Sequence, residues 1–435
     1  MVNNAIANFK NRLFQQIVGS FGLRVTYMGC TFLTNIILAR FLGANDFGIY
    51  TYTVSWAYLL GVFGTVGLDN LLVREVAIYH GQAAWGLLRG ILRWANQISL
   101  LVSLGLSFIA VAIAFFTGMA QDPPLFLAFC IAMAALPFTS LRNLRRGAMR
   151  GLQEVSWGLI PEMLIAPVAI ILSIVIAFLI WQDQLTAAWC VLVYTLVTVL
   201  TLIISQVLLK QFLPTQVSSV SPQYQVSKWF ASALPFMLLE GIYVINARVD
   251  ILMLGSLSSI TEAGIYVPVN RGAQLINFVL MAISSALAPT IARLYSEGKL
   301  NKLEATIVKT ARLALLPTCV FTVILIAISP WYLSLFGTEF IQGKNALVIL
   351  SLGQLIFTVT GLGGLLLNMT GNERYTAVTG GFSAILNTLL NYILIFHWGV
   401  MGAAIATSIS LLVMNFSNIY LVHKKLNIKC TAIGL

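Results

Sequence analysis

The chain has 435 residues, 59% of them hydrophobic and 9% charged, with 25 Lys and Arg against 14 Asp and Glu for a formal net charge of +11. Soluble domains carry about 25% charged residues. No water-soluble fold of this length hides so much apolar surface, so the composition excludes an ordinary soluble protein and makes lipid the solvent for most of the chain.

Windows of roughly 20 residues, the length a helix needs to cross about 30 Å of hydrocarbon, mark the spans in chain order. The first covers residues 17–39 and follows the polar leader MVNNAIANFKNRLFQQ. That leader lacks a small-residue cleavage site, which predicts a retained helix rather than a signal peptide. Arg24 lies inside this span, roughly 10 Å from its start at 1.5 Å per residue, with no acid in the same span. An arginine at the bilayer centre costs roughly 2.5–3.5 kcal/mol on insertion scales, so one kept there lines a polar cavity or snorkels to the interface. Further spans lie near 48–68, 95–117, 124–141, 159–180 and 186–209. The polar stretch KQFLPTQVSSVSPQYQVSKW reads as a linker, and it is followed by spans near 230–254, 264–288, 311–329, 345–367, 376–396 and 401–422. Two segments, HGQAAWGLLRGILRW and YSEGKLNKLEATIVKTARL, have the pattern of amphipathic helices lying along the inner membrane surface.

Basic residues gather in alternate connections, from Lys10 and Arg12 through Arg142, Arg145, Arg146 and Arg150 to Lys424, Lys425 and Lys429. The other connections carry Asp46, Asp122, Asp183, Glu262 and Glu339. The positive-inside rule then puts both termini in the cytoplasm, and the net charge becomes an orientation signal rather than a sign of nucleic-acid binding.

Two stretches repeat. Asp46-Phe-Gly-Ile-Tyr50 matches Glu262-Ala-Gly-Ile-Tyr266, and MRGLQEV before the fifth span is echoed by MTGNERY before the eleventh, at nearly the same offset. The predicted fold class is therefore all-α, a polytopic membrane protein of about twelve transmembrane helices in two homologous six-helix lobes around a central cavity. The lobes are residues 1–213 and 230–435, joined by a cytoplasmic linker at 214–229. Parallel repeats of this kind predict alternating access, hence transport.

Arg24, Arg248 and Arg271 are the basic residues inside spans, and Glu240 and Asp250 are acids within the seventh. Arg248 has a local alternative, an ion pair with Asp250, and Glu162 after Pro161 is an acid at a helix start, favoured there by the dipole. Guanidinium groups in a cavity select anions, phosphates above all, through forked hydrogen bonds. Asn35, Asn246, Asn270, Gln274 and Asn277 are polar candidates for the same cavity, and Glu240 and Asp250 are candidates for ion coupling. Tyr27 and Tyr243 offer flat faces for sugars, as do Tyr50, Trp56, Tyr58 and Tyr266, although aromatics in spans more often pack or anchor. The scattered cysteines and histidines predict no disulfide, no metal site and no cofactor. No nucleophile elbow, HExxH or phosphate loop is present, and the outer loops are short, so an enzyme is not expected.

LARFLGANDFGIYTY, followed by GVFGTVGLDNLLVREVA, closely resembles the opening of bacterial polysaccharide-export flippases, members of the multidrug/oligosaccharidyl-lipid/polysaccharide exporter superfamily. RGAMRGLQEV and LLLNMTGNERYTAVTGGFSAILNTLLNYILI are similar to that family too. The resemblance implies a substrate of oligosaccharide linked through pyrophosphate to undecaprenol, an O-antigen or exopolysaccharide unit moved from the inner to the outer leaflet of the bacterial cytoplasmic membrane. It implies that Arg24 and Arg271, with Arg248 behind them, meet the pyrophosphate, that Arg74 in VREVA is structural, and that polymerase or export machinery are partners. Two alternatives stay open within the superfamily: an ion-coupled multidrug or cation exporter, and a peptidoglycan lipid-precursor flippase.

Overall fold

The computed structural model describes residues 2–181, 185–360 and 362–431; Asp183, counted above among the outer acids, lies outside them. Every regular element among the described residues is helical. In hydrocarbon the backbone must satisfy its own amides, and a helix does so within one segment. Nine helical stretches among the described residues are long and apolar enough to cross a membrane. Two of these hold two expected spans each. Helix α1 (Val2–Thr65) breaks at Gly43, and the last helix, Glu373–Leu426, breaks at Gly399, both glycines at a positive φ that L side chains avoid. The eighth expected span falls in the helix Ile260–Ser296. Among the described residues, each of the twelve expected spans thus falls mainly in helix.

The chain forms two compact units, Met1–Leu42 with Thr53–Val244, and Gly43–Tyr52 with Ile245–Leu435. The first is built on α1, α2 (Leu68–Gly81), α3 (Trp85–Phe116), α4 (Pro123–Ala134) and α5 (Leu136–Gly151), then α6 (Val155–Ile160), α7 (Ala166–Trp181) and α8 (Ala187–Phe212). Its core includes Leu68, Leu72, Leu88, Ile91, Met149 and Trp229. Helix α5 ties its neighbours together through arginines that the sequence reading placed in a loop. Arg142 donates to Thr201 at 3.3 Å, Arg145 to Gln206 and Asn96, and Arg146 pairs with Glu162 at 2.6 Å. Residues of the polar linker are strapped onto this unit rather than hanging free. A one-turn α9 (Gln216–Ser219) leads to Gln223, whose N–H donates to the Gly86 carbonyl at 2.9 Å. Trp229, fully buried, donates its indole N–H to Tyr79 at 2.9 Å.

The second unit takes α10 (Val226–Leu257) from Ile245 on, and in it α11 (Ile260–Ser296) packs with α12 (Leu300–Ala327), α14 (Lys344–Thr360), α15 (Leu362–Met369) and α16 (Glu373–Leu426), with a short α13 (Ser329–Ser334) against α14. Leu280, Ile291, Leu303, Ile307, Leu366 and Val422 form an apolar cluster in it. The two expected surface helices are corrected here: each is the first part of a spanning helix, α3 and α12, because no breaker separates the amphipathic stretch from the apolar one. Two acids of the connections poor in basic residues serve helix starts, where the dipole favours negative charge. Asp122 accepts from the Leu125 amide at 3.3 Å and Glu339 from the Ala44 amide at 2.8 Å. Ser259 accepts from the Glu262 amide at 3.2 Å, half of a Ser-x-x-Glu capping box.

The repeated motif meets its own copy inside this unit. A Cβ on Gly48 would collide with the Ile260 carbonyl, and one on Gly264 with the Ala44 carbonyl and Gly48. Thr261 and Asn45, 216 positions apart like the two glycines, share a hydrogen bond of 3.2 Å. Small residues let two helix backbones approach this closely. Gly48→Ala or Gly264→Ala should therefore cost about 1–3 kcal/mol through overpacking and lower the melting temperature in detergent. Gly105→Ala, at a position with open space around it, should leave melting unchanged.

Candidate functional site

The site residues read from the sequence divide between the two units. In the second, α10 carries Asp250, α11 carries Tyr266, and α16 carries Asn387, Asn391 and Thr407. Asp250 is 4% exposed. Its Oδ2 accepts from the Tyr266 hydroxyl and from Thr407 Oγ1, both at 2.7 Å, and its Oδ1 accepts from Asn391 Nδ2 at 2.7 Å. Asn387 donates to Thr407 at 3.2 Å and accepts from Asn391. The buried Asn391 Oδ1 has no hydrogen-bond partner. Arg248, two positions before Asp250, is on another part of the helix surface, since residues at i and i+2 do not face each other. The donors to the carboxylate are hydroxyls and an amide instead. A buried carboxylate held by neutral donors, beside an orphaned amide oxygen, is an all-oxygen set that can take a proton or a small hard cation.

Tyr266 is corrected from a sugar-stacking face to a fully buried donor. Asn387, Asn391 and Thr407 were missed, although LNTLLN holds two asparagines at i and i+4, one helix face, inside an apolar run.

Elsewhere in this unit α11 brings Asn270, Arg271 and Gln274 together. Arg271 donates to Gln274 Oε1 at 3.3 Å, and Gln274 donates to Asn270 at 3.2 Å. Arg271 is half-buried and close enough to Tyr332 to act on it electrostatically; Tyr332 donates its hydroxyl to the Pro268 carbonyl at 3.0 Å. Asn246 donates to the Gly380 carbonyl at 3.3 Å, Asn277 to Gln354 at 2.6 Å, and Arg248 is half-buried.

In the first unit Arg24 is exposed on α1, with Tyr27 half-buried one turn on and Tyr243 73% exposed on α10. Asn35 is turned back onto its own helix, donating to the Thr31 carbonyl at 2.7 Å. Glu240 accepts from Asn70 at 2.9 Å and lies in electrostatic range of Asp69, Arg146 and Arg150. Glu162, expected at a helix start, lies instead in a π-helical turn, Pro161–Ile165, between α6 and α7, and is held by Arg146. Arg74 pairs with its neighbour Glu75 at 2.8 Å and lies 5.9 Å over the Phe236 ring. The residue overlooked is Arg150: it ends α5, is exposed, and interacts electrostatically with Arg24. Its place in a run of basic residues made it read as an orientation charge.

Asp250→Asn keeps the shape of the network and removes its charge. Sodium in place of choline should raise the melting temperature of the unaltered protein by linkage, and the shift should vanish in the variant. An equal shift in both proteins would place any cation elsewhere.

A family model described as polysaccharide biosynthesis protein matches residues 16–295, and one described as MatE matches residues 235–393. The chain is 24% identical over 356 residues to the succinoglycan biosynthesis transport protein ExoT of Rhizobium meliloti, covering 78% of this chain and 64% of that one. It is 26% identical over 164 residues to the probable low-salt glycan biosynthesis flippase Agl15 of Haloferax volcanii, covering 37% of this chain and 34% of that one. Each match thus spans less than two thirds of the relative's length. Among solved structures, an inward-facing multidrug resistance MATE family transporter of the MOP superfamily superposes with a TM-score of 0.74 at 13% identity, over 92% of this chain and 94% of that one. The lipid II flippase MurJ, in an inward closed conformation, gives 0.69 at 14% identity, over 94% and 87%. These likenesses establish a transporter fold shared by exporters and flippases. Together with the family match over more than half of the sequence, they mean that the chain belongs to the polysaccharide biosynthesis protein family.

Proposed function

We propose that the protein is a flippase for undecaprenyl-pyrophosphate-linked oligosaccharides, O-antigen or exopolysaccharide repeat units, carrying the headgroup from the inner to the outer leaflet without breaking a covalent bond. The observation that carries this reading is Arg24, exposed on a spanning helix, with a second exposed guanidinium, Arg150, in electrostatic range. Two like charges held in range of one another on separate helices, α1 and α5, are stabilised by a dianion, and a forked guanidinium matches phosphate oxygens. Arg271, steadied by Gln274 and Asn270, and Arg248 are the candidates on the second unit for the same ligand. The relatives named for succinoglycan transport and glycan flipping favour a glycan as cargo. In this reading residues 1–213 and 230–435 are homologous lobes joined at 214–229, and transport proceeds by alternating access. The protein sits in the bacterial cytoplasmic membrane with both termini inside and hands its product to polymerase or export machinery.

A second reading, ion-coupled export of drugs or cations, is favoured by one feature: the buried Asp250 network, an acid within a span. In the flippase reading the same network couples an ion to transport.

The test reconstitutes the full chain with a short undecaprenyl-pyrophosphate-linked oligosaccharide and measures its accessibility to an external glycosidase. Arg24→Ala and Arg150→Ala should each slow the appearance of accessible glycan by roughly tenfold or more, as loss of a charge-assisted contact of about 1.5–3 kcal/mol implies. Unchanged transport by Arg24→Ala at equal protein level would remove Arg24 from the site. Export of a cationic dye under a sodium or proton gradient, with no glycan movement, would favour the second reading.

A further inference from the structure

Helix α12 has two unlike faces. One, carrying Leu303, Ile307, Ala311, Ala314, Thr318, Thr322 and Leu325, is buried within the second unit. The other is exposed and changes character partway along. Its first half carries Lys302, Lys309 and Arg312; from Leu313 to the end of the helix at Ala327 there is no charged residue at all. Leu313, Leu316, Val320 and Val323 are 68%, 73%, 51% and 66% exposed. A groove of about 620 Å³ sits where the two halves meet, lined by Ala305, Val308, Lys309, Arg312, Leu313 and Leu316.

We propose that this groove binds an anionic phospholipid, its headgroup phosphate held between Lys309 and Arg312 and an acyl chain lying along Leu313, Leu316 and Val320. The spacing carries the argument. Positions 309, 312, 313, 316 and 320 share one face of a helix, so the two cations and the apolar stripe form a single continuous surface. From Arg312 to Val320 the helix rises about 12 Å at 1.5 Å per residue, a length of apolar stripe that matches the upper part of an acyl chain. An ammonium and a planar guanidinium one turn apart can close on one phosphate from two sides, the guanidinium with two parallel hydrogen bonds. The groove lining holds two positive charges and no acid, so its charge complements an anionic headgroup and not a zwitterionic one. Long cationic side chains at a membrane surface also snorkel without binding any particular lipid. The groove separates the two cases: snorkelling needs only height in the bilayer, whereas a site needs a recess beside the charges. This inference does not depend on which glycan or ion the protein carries.

The experiment uses the full chain purified in detergent, delipidated by exchange, and titrated with phosphatidylglycerol or phosphatidylcholine, with bound lipid counted by native mass spectrometry. The unaltered protein should retain phosphatidylglycerol in preference to phosphatidylcholine. The double variant Lys309→Gln/Arg312→Gln should lose at least fivefold of that retention. A control of equal charge loss outside the groove, Lys299→Gln/Lys302→Gln, should keep it. Equal loss in both double variants, or equal retention of the two lipids by the unaltered protein, would overturn the site in favour of unspecific attraction. A second measurement covers a groove variant that fails to fold. The fluorescence that Leu316→Trp, at an exposed position, adds to that of the nine native tryptophans, read as the difference from the unaltered protein, should be quenched more strongly by brominated phosphatidylglycerol than by brominated phosphatidylcholine, and equal quenching of that difference would overturn the proposal.

Discussion

Hydrocarbon offers no hydrogen bonds, and this chain meets that constraint at every scale. Backbone amides are closed within helices. Buried threonines and serines turn back onto their own helix: Thr195 donates to Val191, Thr198 to Tyr194, Thr201 to Val197 and Ser205 to Thr201. Where a helix must break, at Gly43, the restarting amide of Ala44 finds the Glu339 carboxylate. Charges that cannot reach water find each other, as Arg146 does with Glu162. Against this background of satisfied groups, the few polar atoms left over carry information about function.

The two units spend their polarity differently. The first is rich in full charges: Arg146 of α5 pairs with Asp69 and Glu162 on other helices, Glu240 accepts from Asn70, Arg74 and Glu75 pair within α2, and Arg24 and Arg150 are exposed. The second surrounds one carboxylate, Asp250, with neutral hydroxyls and amides. At the spacing of 216 that relates Asn45 to Thr261, Tyr27 corresponds to Tyr243, and Arg24 corresponds to Glu240. The same offset thus finds a tyrosine at both positions and reverses the charge three residues before it.

The glycines of the repeated motif show why those positions tolerate so little change. Gly48 and Gly264 each leave room for the other's backbone, and the neighbouring Asn45 and Thr261 bond across the same contact. Burying backbone against backbone is the form of packing available when lipid tails remove the hydrophobic drive between helices. It also explains why Phe47, one residue before Gly48, is fully buried and set edge-on to Phe340.

Much of this was legible without coordinates. Long apolar runs marked the spans, because a bilayer has a fixed thickness; the repeat of Gly-Ile-Tyr picked out two stretches that pack closely, because a close helix crossing needs small residues on both sides. Arg24 stood out because a charge inside an apolar run is costly wherever it ends up. What sequence could not decide is which polar groups share a space. The arginines of α5 read as loop charges because composition does not say that a basic stretch continues as a helix, and Arg150 was hidden among them. Tyr266 read as a sugar platform and is instead a buried donor to Asp250. Asn387, Asn391 and Thr407 come to that carboxylate from 137 or more positions away in the chain. Local pattern and solvent determine helices, spans and repeats because those depend on neighbours a few residues apart. The assembly of a polar network depends on how separate helices rotate and pack, and only the tertiary structure decides that.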